Sequence, residues 1–157
     1  MIWDNLKQEL IFIDLDVDDR EDVFKTVGGK LTELGYTKDT YVGALGEREK
    51  VFPTGLDVGG IGVAIPHTDQ VHVNKTALAV AKLKHPVMFH QMATNPKDNV
   101  MVPVTFVIML AVNGSNYMEF LQHVIMLIQD QDVLKKLVNA TNAKEIVETI
   151  KKKEETL

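Results

Sequence analysis

The chain has 157 residues, 45% of them hydrophobic and 25% charged, with a net charge of −5. That length buries one substantial core, so we read a single domain over residues 1–157. The acidic balance argues against a nucleic-acid partner, since no basic stripe supplies the electrostatic part of such binding. The absence of cysteine excludes disulfides, thiolate nucleophiles and Cys-based zinc sites. The opening Met1-Ile2-Trp3-Asp4 lacks the basic-then-apolar layout of an export signal. The longest apolar run, Met101 to Val112, is broken by Pro103 and Thr105 and is shorter than the roughly 18 residues of a membrane span. The expected location is the cytoplasm.

In chain order, Glu9 to Leu15 is apolar and short, a strand or an extended lead-in. Asp18-Asp19 caps a predicted helix running to Leu34, with Val23, Phe24, Val27, Leu31 and Leu34 at helical spacing and Gly35 at its end. Gly28-Gly29 interrupts that helix and marks close packing. A second helix is predicted from near Thr37, through Tyr41, Val42 and Leu45, to a point before Pro53. Strands are predicted at Ile61 to Ile65, Ala77 to Leu83 and Val102 to Val112, with a further short one at Val87 to Phe89 after Pro86 and a turn at Asn95 to Asn99. The last third reads as three helices. The first carries Tyr117, Phe120, Leu121, Val124, Ile125 and Ile128 on one face; the second holds Leu134 and Leu137; the third, capped by Thr141 or Asn142, holds Ile146 and Ile150. The Lys151 to Lys153 run is read as favourable to a helix C-terminus and otherwise a solvated tail. Helices, then strands, then helices around one core predict an α/β sandwich: a mixed central β-sheet flanked by helices.

One segment points to chemistry. His67 follows a short apolar strand and Pro66, which ends the sheet ladder and fixes the backbone ahead of the imidazole. Such a histidine is expected half exposed at a strand end, with a neutral, nucleophilic nitrogen near pH 7. Histidine forms covalent intermediates, although a strand-end histidine is more often structural. His72 and Asp69 stand close to His67 in sequence, but the spacing is not that of a metal site. His85 and His90 read as surface residues, and no cofactor is implied.

The run Gly62-Val63-Ala64-Ile65-Pro66-His67 resembles the signature of the fructose–mannitol (type 2) family of enzyme IIA components of the phosphotransferase system. Leu45, Arg48-Glu49 and Thr54-Gly55 are similar to the family's helix-borne Arg-Glu and following Gly turn. Phe52-Pro53-Thr54-Gly55 looks most like the galactitol-specific branch. The resemblance implies the mannitol-type IIA fold and phosphorylation of His67, at Nε2, by phosphorylated HPr. It further implies transfer from His67 to a cysteine of a IIB component, with a IIC membrane permease served indirectly. Arg48 would bind the phosphoryl oxygens bidentately, unless it merely pairs with Glu47 or Glu49. Thr54 and the Gly55 backbone would add neutral donors, unless they are ordinary turn residues. Mannitol-type members carry a second histidine where this chain has Asn116-Tyr117-Met118-Glu119. Another group must assist, and the phase of the predicted helix sets His123 off its core stripe, beyond reach of His67. The alternative is a regulatory, nitrogen-type IIA protein whose phosphorylation state controls partner binding.

Overall fold

The computed structural model describes residues 2–114 and 116–157, with side chains from residue 4 onward; the Met1 of the opening stretch lies outside them. Five strands form one mixed sheet in the order β1-β4-β5-β3-β2. Strand β1 (Leu6–Leu15) runs parallel to β4 (Ala77–His90). Strand β4 pairs antiparallel with β5 (Met101–Ala111), which runs parallel to β3 (Ile61–Ala64). Strand β2 (Gly55–Val58) closes the sheet as the antiparallel partner of β3; the sequence pattern does not announce it, because four residues bounded by Gly are too short to show alternation.

Residues 87–89 are not a separate strand. Strand β4 continues through Pro86 to His90, and its pairing with β5 shifts register between Lys82 and Val87. The irregularity accommodates a proline, which has no N–H to give a ladder.

The two sheet faces are separated by the strand period of two. Ala77, Ala79, Ala81 and Leu83 of β4 face one core with Val107 and Met109 of β5. Leu78 and Val80 face the other, with Phe106, Ile108 and Leu110. On the first face lie α1 (Arg20–Val23), a π-helical turn over Phe24–Gly28, α2 (Gly29–Glu33) and α3 (Tyr41–Val51). The expected first helix is therefore one helical path interrupted by a π turn. Asp19 caps it by accepting from the Asp22 N–H at 2.9 Å. Gly28 is buried where α3 crosses; a Cβ there would sit 3.1 Å from Leu45 Cδ1, so close packing accounts for the interruption.

On the second face lie α4 (Tyr117–Gln129), α5 (Gln131–Asn139) and α6 (Ala143–Glu154). Phe120, Val124, Leu127 and Ile128 of α4 enter the core with Leu134, Leu137, Ile146 and Ile150. Asn142 is the N-cap of α6, accepting from the Glu145 N–H, and Glu145 reaches back to the Thr141 N–H, a reciprocal capping arrangement. The lysine run is not wholly a solvated tail, because Lys153 Nζ donates to Asp130 at 2.9 Å and ties α6 to the start of α5. The result is the expected α/β sandwich.

Candidate functional site

The chain leaves β3 after Ala64 and runs through Ile65-Pro66-His67-Thr68, all buried. Two backbone bonds anchor this segment. The Ile65 N–H donates to the Thr54 carbonyl at 3.4 Å, and the Leu110 N–H donates to the Pro66 carbonyl at 2.9 Å. The histidine is thus held between the loop entering β2 and the end of β5. It is more enclosed than the strand-end reading implies: His67 is 8% exposed, not half exposed, because helix α4 begins over it.

Burial decides the chemistry of the ring. His67 Nδ1 lies 2.8 Å from the Ile65 carbonyl oxygen. A carbonyl only accepts, so Nδ1 carries the proton and Nε2 keeps its lone pair. Burial lowers the pKa of His67; the bond to Ile65 opposes this, the Arg48 charge adds to it, and Asp69 opposes it. The imidazole is accordingly neutral and nucleophilic at pH 7.

Arg48 stands in the last turn of α3. It pairs with neither sequence neighbour expected of it. Glu47 receives Lys50 at 3.1 Å, and Glu49 turns inward. Arg48 Nη1 lies 3.5 Å from Asp69 Oδ1, its guanidinium sits 5.2 Å from the centroid of the Phe52 ring, and its Nε is buried without a hydrogen-bond partner. A buried donor left unpaired is disfavoured, and here it belongs to a cation whose charge acts on the His67 ring. An open cleft of about 600 Å³ leads to this point, bounded by Thr40, Arg48, Phe52, Thr68, Asp69 and His72.

One of the two expected binding residues is occupied elsewhere. The Thr54 N–H donates to Glu49 Oε1 at 2.7 Å, and its hydroxyl lies 3.0 Å from both Glu49 oxygens. Thr54 has no donor left for a phosphoryl group; its task is to cap a buried carboxylate. Gly55 opens β2, and a Cβ there would meet the His90 carbonyl oxygen at 2.7 Å. Close backbone approach is what requires a glycine here.

Sequence reasoning missed three members of the cluster. Asp69 meets Arg48, Glu49 supports Thr54, and Tyr117 lays its ring 6.0 Å from the His67 ring, centroid to centroid. Asp69 and Glu49 carried a signal in being adjacent to His67 and Arg48. Tyr117 carried one only through the resemblance, as part of the stretch where mannitol-type members have their second histidine; spacing along the chain gave none, since fifty residues separate it from His67. The other histidines lie apart. His72 Nδ1 is 2.8 Å from the Thr40 hydroxyl at the cleft rim. His85 is exposed. His90 is not a simple surface residue: Arg20 Nη1 donates to its Nδ1, and its Nε2 donates to Asn99. His123 lines a different pocket with Asn5, Thr76, Asn113 and Glu119.

Comparison with known proteins agrees with this fold. Residues 4–153 match the family "Phosphoenolpyruvate-dependent sugar phosphotransferase system, EIIA 2". The galactitol-specific EIIA component of the phosphotransferase system of Escherichia coli strain K12 is 31% identical over 121 residues, covering 76% of this chain and 78% of that protein. A nitrogen regulatory protein of Bradyrhizobium diazoefficiens is 30% identical over 148 residues, covering 92% of this chain and 91% of that protein. The fold is also that of a chain in a solved complex of enzyme IIAMTL and phosphorylated enzyme IIBMTL from Escherichia coli, with a TM-score of 0.76 at 22% identity, covering 94% of this chain and 99% of that one. A family match across nearly the whole chain, on an α/β sandwich with a neutral histidine beside an arginine, is decisive: the protein belongs to the EIIA 2 family of the phosphoenolpyruvate-dependent sugar phosphotransferase system and is a phosphotransferase working through phosphohistidine.

Proposed function

We propose that His67 is the phosphorylated residue. It accepts a phosphoryl group from phosphorylated HPr on Nε2 and passes it to a cysteine of a IIB component, in the uptake of galactitol or a related sugar or polyol by a IIC permease. The observation that carries this reading is the Nδ1 bond to the Ile65 carbonyl, which leaves Nε2 as the free lone pair within the field of Arg48, whose own Nε is unpaired. The donor's P–O or P–N bond breaks as the N–P bond forms, and the leaving group keeps the electron pair. Charge spreads over three oxygens at that moment, so a fixed cation and a fixed nucleophile are the main requirements. The IIB acceptor rests on the family and on the IIAMTL–IIBMTL neighbour; the galactitol pathway rests on the galactitol-specific relative.

The test is incubation with phosphoenolpyruvate, enzyme I and HPr, followed by mass measurement. One acid-labile, base-stable phosphate is expected, and a well-folded His67→Ala protein should take none. Undiminished phosphorylation of that variant would overturn the assignment.

A regulatory role is the second reading, favoured by the nitrogen regulatory relative, which aligns over more of the chain than the galactitol one. Deleting the gene separates the two. Loss of phosphotransferase-dependent uptake of galactitol or a related polyol supports transport, whereas normal growth on all of them supports regulation.

A further inference from the structure

Tyr117 is the first residue of α4 and is only half-buried, while Phe120, one turn on, fills the core. Its ring is tilted 58° to the His67 imidazole at a centroid separation of 6.0 Å. The hydroxyl donates to the carbonyl of Thr68, the residue after His67, at 3.4 Å. An O–H···O bond is normally about 2.5–3.0 Å, so this one is weak and readily exchanged for a better acceptor. The charges of Arg48 and Asp69 act on both His67 and Tyr117, which places the four side chains in one electrostatic neighbourhood. The Nδ1 side of His67 is spent on Ile65, so an incoming group meets the ring at its other nitrogen, with Tyr117 beside it.

Resting on the reading of His67 as acceptor, we propose that the Tyr117 hydroxyl is a catalytic hydrogen-bond donor to the phosphoryl group on His67. It leaves the Thr68 carbonyl and bonds one phosphoryl oxygen while the N–P bond forms. The phenol keeps its proton throughout, and the proton on Nδ1 stays with Ile65. Burial, the largest influence on Tyr117, raises its pKa, so the group remains a donor and not a competing anion. A phosphoryl oxygen is a stronger acceptor than a neutral carbonyl, which makes the exchange favourable. Arg48 supplies the charge and Tyr117 a neutral, directional contact on another side.

The experiment uses the full chain, potassium phosphoramidate as a small donor that needs no protein docking, and ³¹P NMR. Tyr117→Phe keeps the ring and removes one oxygen. The variant should still be phosphorylated on His67 but about tenfold to a hundredfold more slowly, by comparison with loss of a single oxyanion donor. Its phosphohistidine resonance should be displaced from that of the wild type, a change that simple ring packing would not cause. An unchanged rate together with an unchanged resonance in Tyr117→Phe would overturn the role of the hydroxyl while leaving His67 as acceptor. Failure of the wild type to accept phosphate, or acceptance by His67→Ala, would instead remove the underlying reading and this inference with it.

Discussion

Arg48 owes its position to three weak holds: an acid at 3.5 Å, an aromatic face at 5.2 Å and the end of a helix. None of them satisfies Nε. Arg48→Ala should slow phosphoryl acceptance by roughly tenfold to a thousandfold, the effect of about 1.4 to 4 kcal/mol of lost transition-state stabilisation. Arg48→Lys should recover little of it, because an ammonium cannot reproduce the planar fork; stopped acceptance kinetics from HPr give both values. Glu49 beside it is 5% exposed, and burial raises its pKa to about 7 against the bonds from Thr54 and the charges of Arg20 and Arg48. The folded state therefore holds this proton more tightly than the unfolded chain. Its contribution to stability is complete below about pH 4.5 and is lost as pH rises through about 7. Glu49→Gln has no such titration, so its stability relative to the wild type should increase from pH 5 to pH 8, by at most about 3 kcal/mol. Thermal denaturation of both proteins across that range checks the sign.

Strands and helices place these residues by a small number of backbone contacts. The segment carrying His67 depends on Thr54, and Thr54 depends on β2 starting tightly against the end of β4 at Gly55. Gly55→Ala must push two backbones apart, since its Cβ would stand 2.7 Å from a carbonyl oxygen. It should lower stability by about 1–3 kcal/mol, as overpacking does, and slow acceptance at His67. Denaturant melts and acceptance rates on one preparation test both. Helix α4 gives the opposite case. It turns Tyr117 toward His67 and sets His123 in a separate polar pocket. His123→Ala should keep near-normal transfer from HPr and change stability by no more than about 0.5 kcal/mol, like an ordinary surface substitution; a large loss of transfer would contradict the helix phase.

Seen across the molecule, the cleft opens among exposed apolar side chains. Val51 and Phe52 line it, and Val71 and Met118, 63% and 61% exposed, adjoin residues of the cluster. Single exposed apolar residues are ordinary, but Val51 and Phe52 lining the cleft, with Val71 and Met118 next in sequence to His72 and Tyr117, suit a protein partner. Met118→Asp should weaken binding of the IIB partner about tenfold, about 1.4 kcal/mol. Acceptance from phosphoramidate should stay normal, because Met118 does not enter the site. Titration calorimetry with the partner and ³¹P NMR with the small donor separate the two effects. Among the described residues no helix is long and apolar enough to cross a membrane.

What could be read from the residues in order was what depends on near neighbours along the chain. The strand-proline-histidine run marked His67, the helical stripe of α4 marked its core face, and Asp19 and Asn142 marked helix starts. Periodicity and capping are local physics, decided within a turn or two of backbone. Strand β2 and the continuity of β4 through Pro86 were not legible, because pairing with β3 and β5 creates them. The same holds for the site. Thr54 looked like a donor until Glu49 was folded against it, and the need for a glycine at position 55 appeared only when the end of β4 was folded against it. Tyr117 joins His67 only because α4 starts over the end of β3, and the state of the imidazole follows from the burial this produces. Desolvation and long-range contact belong to the folded chain, so they decided which of the candidate side chains are free to act.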